Sequence, residues 1–220
     1  MKIAIDGPAG AGKSTIARIL AAKLGVLYID TGAMYRALAL KALKTAVKLD
    51  DPQDLLELAH HTHIHFEPDE QQQKVICDGL DVTEAIRSPE VSAVVSRVAV
   101  HPAVRKQMVI MQRDMARNHS IVMDGRDIGE CVLPDADYKF YVTASLEERT
   151  KRRIKELQAN GYDVDEERIK REIMNRDYQD SHREVGALKL LPDSILIDTS
   201  DLTVDQAVTK IMKIIQGAQI

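Results

Sequence analysis

Five short apolar runs divide the sequence, and each is rich enough in branched or aromatic side chains to be a buried strand. They lie at residues 2–5 (KIAI), 26–30 (VLYID), 121–124 (IVMD), 138–142 (YKFYV) and 195–198 (ILID). Longer segments with apolar side chains at helical spacing follow four of these runs. They lie at residues 14–24, 34–47, 146–158 and 204–215. The alternation predicts an α/β fold in which helices flank a five-stranded parallel sheet.

The segment between the two halves has a different pattern. Polar and apolar side chains alternate over residues 63–67, a polar tract follows at 68–73, and a short apolar run (KVIC) occupies 74–77. This order predicts an antiparallel hairpin with its turn in the polar tract. The next two segments, 89–100 and 102–117, each begin with proline, which the first turn of a helix tolerates, and both are predicted to be helical.

Together these elements predict a single domain over residues 1–220. Its core comprises residues 1–59, 89–145 and 185–220, its small antiparallel insert lies at about 60–88, and its charged helical hairpin lies at about 146–184. The second helix of this hairpin is predicted at about 165–182.

Composition restricts the classes of partner. Thirty Lys and Arg against 34 Asp and Glu give a net charge of −4, and the chain has no Trp and only two Phe. Neither a broad basic surface for a nucleic acid polymer nor an aromatic platform for single strands is therefore expected, and any anion site must be local.

Cysteine use and hydropathy indicate the compartment. Cys77 and Cys131 form no zinc or disulfide pattern, which fits a reducing cytoplasm. No apolar run approaches the roughly 20 residues of a membrane span, so no membrane partner is expected. Because no coiled-coil repeat is present, we expect a monomer.

A glycine-rich stretch joins the first predicted strand to the first predicted helix. Its sequence at 7–14, GPAGAGKS, matches the phosphate-loop pattern G-x-x-x-x-G-K-[ST] in the context that the pattern requires. Backbone N–H groups of such a loop surround a phosphate, its lysine reaches the β- and γ-phosphate oxygens, and its hydroxyl can bind Mg²⁺. The sequence therefore predicts binding of ATP with Mg²⁺, and Ser14 is the expected metal ligand. The residues expected to bind ATP are Gly7, Pro8, Ala9, Gly10, Ala11, Gly12, Lys13, Ser14 and Thr15.

Two large classes of phosphate-loop protein are disfavoured. A GTPase would need an Asn-Lys-x-Asp segment, but no Asn of this chain is followed by Lys. A hydrolytic ATPase usually ends a core strand with Asp followed by a water-activating Glu, whereas the run at 121–124 continues into Gly-Arg-Asp.

Arginines occur in groups away from the phosphate loop. Arg149 and Arg153 are four residues apart, so one helix face can present both. Arg176, Asp180 and Arg183 share a face of the next helix in the same way. Most charges in this part of the chain are expected to be solvated, but transfer of a phosphoryl group to a phosphate acceptor needs cations around both substrates. Arginine binds phosphate with two parallel hydrogen bonds, so this composition favours a nucleotide kinase.

Several longer motifs are similar to those of one family. IDGPAGAGKST at 5–15, IDTGAMYR at 29–36, MDGRDIG at 123–129 and NRDYQDSHREVGAL at 175–188 resemble bacterial cytidylate (CMP) kinases, and the similarity extends over essentially the whole chain. The phosphate loop is shared by many kinases, whereas TGAMYR and DGRD at this separation are much more specific. The resemblance implies the nucleoside monophosphate kinase fold, in which the insert binds the acceptor and the charged hairpin is a mobile lid.

The resemblance also implies roles for individual residues. For the CMP acceptor these are Thr31 and Arg36, the phosphate-binding Arg126 and Arg183, the ribose-side Arg176 and Asp180, and the cytosine-reading Ser96, Arg105 and Asp127. For catalysis they are Lys13, Arg126, Arg149, Arg153 and Arg183, with Arg152 as a further lid arginine. Asp127 also makes independent chemical sense, because a carboxylate accepts from the exocyclic amine of cytosine and repels the corresponding oxygen of uracil.

The predicted activity is therefore transfer of the γ-phosphoryl group of ATP to CMP or dCMP. Two alternatives remain open from the residues themselves. One is a phosphate-loop kinase for another small acceptor, such as AMP, dTMP or shikimate. The other is a nucleotide-dependent switch without turnover.

Overall fold

The computed structural model describes residues 1–67, 73–159 and 161–217. Within these residues the strands are β1 (Lys2–Asp6), β2 (Leu27–Asp30), β3 (Ile64–Glu67), β4 (Lys74–Cys77), β5 (Leu80–Asp81), β6 (Ile121–Gly125), β7 (Tyr138–Thr143) and β8 (Ile195–Asp198). The helices are α1 (Lys13–Leu24), α2 (Thr31–Lys44), α3 (Pro52–His60), α4 (Pro89–Ala99), α5 (Pro102–Ala116), α6 (Leu146–Ala159), α7 (Glu166–Ser181) and α8 (Val204–Ile215).

The predicted apolar runs form one sheet with the strand order β2-β6-β1-β7-β8, five strands within the described residues. Strand β1 is parallel to both of its neighbours, β6 and β7, and β7 is parallel to β8. The prediction of a five-stranded parallel α/β sheet is confirmed. Because the strands are parallel, the carboxyl ends of β1, β6 and β7 meet at one edge, where Asp6 lies opposite Gly125 and Tyr141.

The chain divides into two compact units. The first comprises Met1–Tyr28 and Asn118–Ile220, and the second comprises Ile29–Arg117. The predicted partition into core, insert and lid is a functional one, and it stays a prediction.

The core of the first unit is the sheet packed against α1 and α8. Its buried side chains include Ile3, Ile5, Leu20, Phe140, Ile197 and Ile211. The pair α6 and α7 has a small apolar cluster of its own, centred on Leu157, Ile169 and Ile173. This explains how so charged a hairpin is helical, since one apolar stripe on each helix is buried against the other.

The second unit consists of α2 to α5 and a separate antiparallel sheet of strands β3, β4 and β5. Met34, Leu38, Leu55, Val95 and Met108 are among its buried side chains. The pairing of Ile64 with Cys77 confirms the predicted hairpin, and the strand β5 extends it. The turn predicted at 68–73 lies outside the described residues, apart from its last position.

Two helices differ from the sequence-based prediction. The helix α3 was missed, although Asp51 caps it by accepting the N–H groups of Gln53 and Asp54 and a proline occupies its first position. The helix α2 begins at Thr31 rather than at residue 34, because Asp30 caps it through the N–H of Ala33 at 2.8 Å. Among the helices of the described residues, none has both the length and the apolar character needed to cross a membrane.

Candidate active site

The phosphate loop follows β1 and leads directly into α1. Gly7 has φ +149°, and a Cβ at this position would lie 1.9 Å from the carbonyl oxygen of Val142. Gly12 has φ +86°, the left-handed conformation from which the helix begins at Lys13. Both conformations favour glycine, so the loop needs its glycines for backbone geometry as well as for close approach to a phosphate.

Lys13 is buried in this loop. Its side chain is 5% exposed, and its Nζ donates to the carbonyl oxygen of Pro8 at 2.7 Å. Burial, followed by repulsion from Arg126, lowers the pKa of Lys13 from 10.5 to about 7, against the attraction of Asp124. Anionic phosphate oxygens next to this lysine would therefore raise its pKa and strongly favour its charged form.

The hydroxyl of Ser14 is bound to a carboxylate at the end of β6. Ser14 Oγ donates to Asp124 Oδ2 at 2.8 Å, and Tyr28 Oη donates to Asp124 Oδ1 at 2.9 Å. Asp124 is 3% exposed. Hydroxyl and carboxylate oxygens together are the kind of donors that Mg²⁺ prefers.

Arginines and carboxylates form a buried network on the same unit. Arg126 Nε donates to Asp180 Oδ2 at 2.7 Å, and Arg183 binds the other oxygen of Asp180. Burial raises the pKa of Asp180, but the guanidinium groups of Arg126 and Arg183 outweigh burial and hold this pKa below its ordinary value. Because Asp180 and Arg176 also influence the pKa of Lys13, these predicted site residues lie in the electrostatic environment of the phosphate loop.

Arg149 is built into the phosphate loop. Its Nε donates to the carbonyl oxygen of Ala144 at 3.0 Å, and its Nη1 donates to the carbonyl oxygen of Ala9 at 3.1 Å and to Asp177 Oδ2 at 2.5 Å. A Cβ at Gly10 would lie 3.1 Å from both the Cβ and the carbonyl oxygen of Arg149, so α6 approaches the loop closely.

The other two arginines predicted to belong to the lid differ in their surroundings. Arg152 Nη1 lies 3.4 Å from the carbonyl oxygen of Ala11 in the phosphate loop and 3.0 Å from Thr199 Oγ1. Arg153 Nη1 donates to Glu156 Oε2 at 2.9 Å, one turn further along the same helix.

Four predicted acceptor-binding residues belong to the second unit. Arg36 Nη2 donates to Asp30 Oδ2 at 2.8 Å, so the residue that caps α2 also orients this guanidinium. Arg105 is 1% exposed, and its guanidinium lies 5.4 Å from the ring centroid of Tyr35. Thr31 is buried at the start of α2, and Ser96 is half-buried on α4.

With this geometry in place, comparisons with known proteins are informative. The family model described as cytidylate kinase matches residues 3–217. The chain belongs to the cytidylate kinase family. The protein named cytidylate kinase in Geobacillus sp. (strain WCH70) is 53% identical over 215 residues, covering 98% of this chain and 96% of the relative. The one from Desulforamulus reducens is 54% identical over 210 residues, covering 96% and 94%. The resemblance inferred from the motifs is confirmed.

Solved structures support the fold of this cytidylate kinase family member. The shikimate kinase of Bacteroides thetaiotaomicron covers 98% of both chains with a TM-score of 0.51 and 13% sequence identity. An uncharacterized protein from Eubacterium ventriosum has a TM-score of 0.52 and 18% identity over the same share of each chain. At such identities the likeness is one of fold.

Sequence reasoning missed several residues that orient this family member's predicted site. Asp177 binds Arg149, and Tyr28 binds Asp124, the partner of Ser14. Asp6 binds the amides of Ile128 and Gly129, which follow Asp127. These residues lie 28 to 123 positions from the groups that they bind. No local sequence pattern predicts such partners. Asp30 did have a local signal, because aspartate is a common cap at the position directly before a helix, and α2 begins at Thr31 rather than at residue 34.

Proposed function

We propose that the protein transfers the γ-phosphoryl group of ATP to CMP, and to dCMP as an additional acceptor, with ADP and CDP or dCDP as products. The observation that carries this proposal is membership of the cytidylate kinase family over residues 3–217. The relatives named cytidylate kinase match nearly their full length, so the activity named for them is expected of this whole chain.

On the donor side, the loop Gly7 to Thr15 binds the phosphates of ATP through its backbone N–H groups. Lys13 neutralises oxygens of the β- and γ-phosphates, and Arg149, already in contact with the loop, stabilises the transferring group. Arg153 joins it if its side chain leaves Glu156. Arg152, which contacts the carbonyl oxygen of Ala11, supports the loop itself.

Ser14 holds the Mg²⁺ that accompanies ATP, with Asp124 beside it. The oxygens of Ser14 and Asp124 lie 2.8 Å apart. Both residues offer oxygen ligands, which fits this metal. The metal, when bound, neutralises charge on the β- and γ-phosphate oxygens.

On the acceptor side, Arg36, Arg126 and Arg183 bind the phosphate of CMP, and Arg176 and Asp180 bind its ribose side. Ser96, Arg105 and Asp127 read the cytosine, and Thr31 adds its hydroxyl. Asp30 supports this assignment for Arg36, since an ion pair at 2.8 Å holds the guanidinium in a defined orientation. The network around Asp180 does the same for Arg126 and Arg183.

The reaction is an in-line attack by a phosphate oxygen of CMP on the γ-phosphorus of ATP. The bond from that oxygen to phosphorus forms as the bond to the β-phosphate bridging oxygen breaks, and ADP leaves with the electron pair. A phosphate oxygen is already a competent nucleophile at neutral pH, so no general base is required. Cations on several sides of the moving group are required, and the arginines supply them.

We further propose that residues about 60–88 act as the acceptor-binding insert and about 146–184 as the lid, on a core of 1–59, 89–145 and 185–220. The enzyme acts on free nucleotides as a monomer in the cytoplasm, with neither a nucleic acid polymer nor a membrane as partner. The net charge of −4 and the free thiols Cys77 and Cys131 support this view.

The test is ADP production from Mg²⁺-ATP with CMP, dCMP, UMP, AMP, dTMP and shikimate offered separately. We expect the largest kcat/KM with CMP, followed by dCMP. Preference for another acceptor would overturn the substrate assignment, and ATP binding without ADP formation from any acceptor would support the switch instead.

Lys13→Met is expected to abolish transfer and retain CMP binding, whereas Lys23→Met, at an exposed position of the same helix, is expected to retain both.

A further inference from the structure

A tyrosine hydroxyl is joined to the phosphate loop through one carboxylate. Tyr28 Oη donates to Asp124 Oδ1 at 2.9 Å, and Ser14 Oγ donates to Asp124 Oδ2 at 2.8 Å. Tyr28 is on β2, Asp124 is on the neighbouring strand β6, and Ser14 is in the first turn of α1. Each oxygen of the carboxylate is therefore held by one hydroxyl.

Burial places the three groups at different depths. Ser14 is exposed and Tyr28 is half-buried, whereas Asp124 is only 3% exposed. A metal ion that arrives with ATP therefore reaches the Ser14 oxygen before it reaches the carboxylate behind it. Asp124 is consequently placed to act on the metal through the Ser14 hydroxyl or through a water bound to the metal.

The direction of the Ser14 hydroxyl decides whether its oxygen can bind a metal. A hydroxyl has one hydrogen and two lone pairs. While the hydrogen is donated to Asp124, the lone pairs remain available to a cation. If the carboxylate rotated away, this hydrogen would lose its acceptor and would be free to turn towards the cation and repel it.

Tyr28 opposes that rotation without cancelling the charge of the carboxylate. Its ring packs against the core of the first unit, so the hydroxyl is carried by an anchored side chain. A hydrogen bond to an ionised acceptor is stronger than one between neutral groups. Because the phenol is neutral, Asp124 keeps its negative charge, which a lysine or an arginine at this position would offset.

We propose that Tyr28 is a positioning residue for the metal ion that accompanies ATP. Its hydroxyl fixes the Asp124 carboxylate, and the carboxylate keeps the Ser14 hydroxyl turned so that its oxygen is available to the metal. This inference rests on the proposed function, in which Ser14 binds Mg²⁺. Loss of the Tyr28 hydroxyl therefore weakens metal binding and leaves the nucleotide-binding loop in place.

The test measures binding of Mn²⁺ to the complex of the protein with ADP, with the protein in excess over ADP. Mn²⁺ prefers the same oxygen ligands as Mg²⁺, and electron paramagnetic resonance measures the unbound ion. Tyr28→Phe is expected to raise the dissociation constant of Mn²⁺ about tenfold, at the lower end of the effect of removing a group that orients a metal ligand. The affinity for ADP in the absence of metal should be unchanged, because the backbone N–H groups of the loop are untouched.

Tyr138→Phe is the matched control. Tyr138 also packs against the core of the first unit, and its Oη donates to the carbonyl oxygen of Ile215 at 3.1 Å. It begins β7, whereas the phosphate loop follows the carboxyl end of β1. Phenylalanine retains the ring at either position, so both variants should fold, and Tyr138→Phe should bind Mn²⁺ as the parent does.

Two further variants test whether Tyr28 acts through Asp124. Asp124→Asn is expected to weaken Mn²⁺ binding by at least as much as Tyr28→Phe. In the double variant the two losses should not add, because both changes act on the same carboxylate. A tyrosine that influenced the metal by another route would give additive losses.

The outcomes separate the inference from the proposed function. An unchanged Mn²⁺ affinity in Tyr28→Phe overturns the inference if Asp124→Asn weakens binding. An equal loss in Tyr138→Phe, or additive losses in the double variant, also overturns it. If Asp124→Asn itself binds Mn²⁺ as the parent does while CMP is still phosphorylated, the metal role of Asp124 is wrong and that of Tyr28 fails with it, but the kinase activity stands.

Discussion

Replacing Lys13 by methionine should stabilise the protein while abolishing its activity. The fall in the pKa of Lys13 from 10.5 to about 7 means that the folded chain disfavours the ammonium. At about 1.4 kcal/mol for each pKa unit, this corresponds to about 5 kcal/mol. Methionine fills a similar volume without a charge, but it leaves the carbonyl oxygen of Pro8 without this donor, which costs about 1–3 kcal/mol. The net expectation at pH 6.5 is about 2–4 kcal/mol in favour of Lys13→Met.

The sign of the pH dependence is defined by the same pKa. Below about pH 7 the folded and unfolded chains both carry the charge at Lys13, so the folded chain bears its full cost. Between about pH 7 and 10.5 only the unfolded chain retains the proton, so the parent protein gains stability as the pH rises. The advantage of Lys13→Met should therefore shrink with pH and vanish near pH 9.

The assay is urea unfolding of the nucleotide-free protein, followed by circular dichroism at pH 6.5, 8 and 9. Lys23→Met, exposed on the same helix, is the control and should differ from the parent by no more than about 0.5 kcal/mol at pH 6.5. A Lys13→Met variant less stable than the parent at pH 6.5, or an advantage that does not change with pH, would refute the reasoning.

Two glycine substitutions test the backbone geometry of the site. Gly7→Ala should lower the free energy of unfolding by about 3 kcal/mol or more, since its Cβ would lie 1.9 Å from the carbonyl oxygen of Val142. The control Gly25→Ala, at φ +65° with open space around the Cβ, should lower it by only about 1 kcal/mol. Similar losses of stability in the two variants would contradict this reasoning. Gly32→Ala should raise the KM for CMP about tenfold and leave that for ATP unchanged, because its Cβ would lie 3.1 Å from Arg36 Nη1 and displace the guanidinium. An unchanged KM for CMP would count against the role of Arg36.

Much of the fold could be predicted because its signals are local. Buried parallel strands are continuous apolar runs, and all five predicted runs are strands of one sheet. The phosphate loop is equally local, since left-handed backbone at Gly12 and the start of a helix at Lys13 are properties of adjacent residues. The missed helix α3 had a local signal too, in the sequence Asp51-Pro52, but it is only nine residues long.

The sequence by itself therefore determined which segments become strands and helices, where the phosphate loop lies, and to which family the motifs point. Only the tertiary structure decided which side chains serve the site from a distance. Asp6 meets the turn after Asp127, and Arg149 meets the carbonyl oxygen of Ala9, across 122 and 140 positions. Hydrophobic periodicity and glycine conformation act between near neighbours, whereas such hydrogen bonds depend on which strand ends and helices become adjacent, and that is settled only when the sheet is assembled.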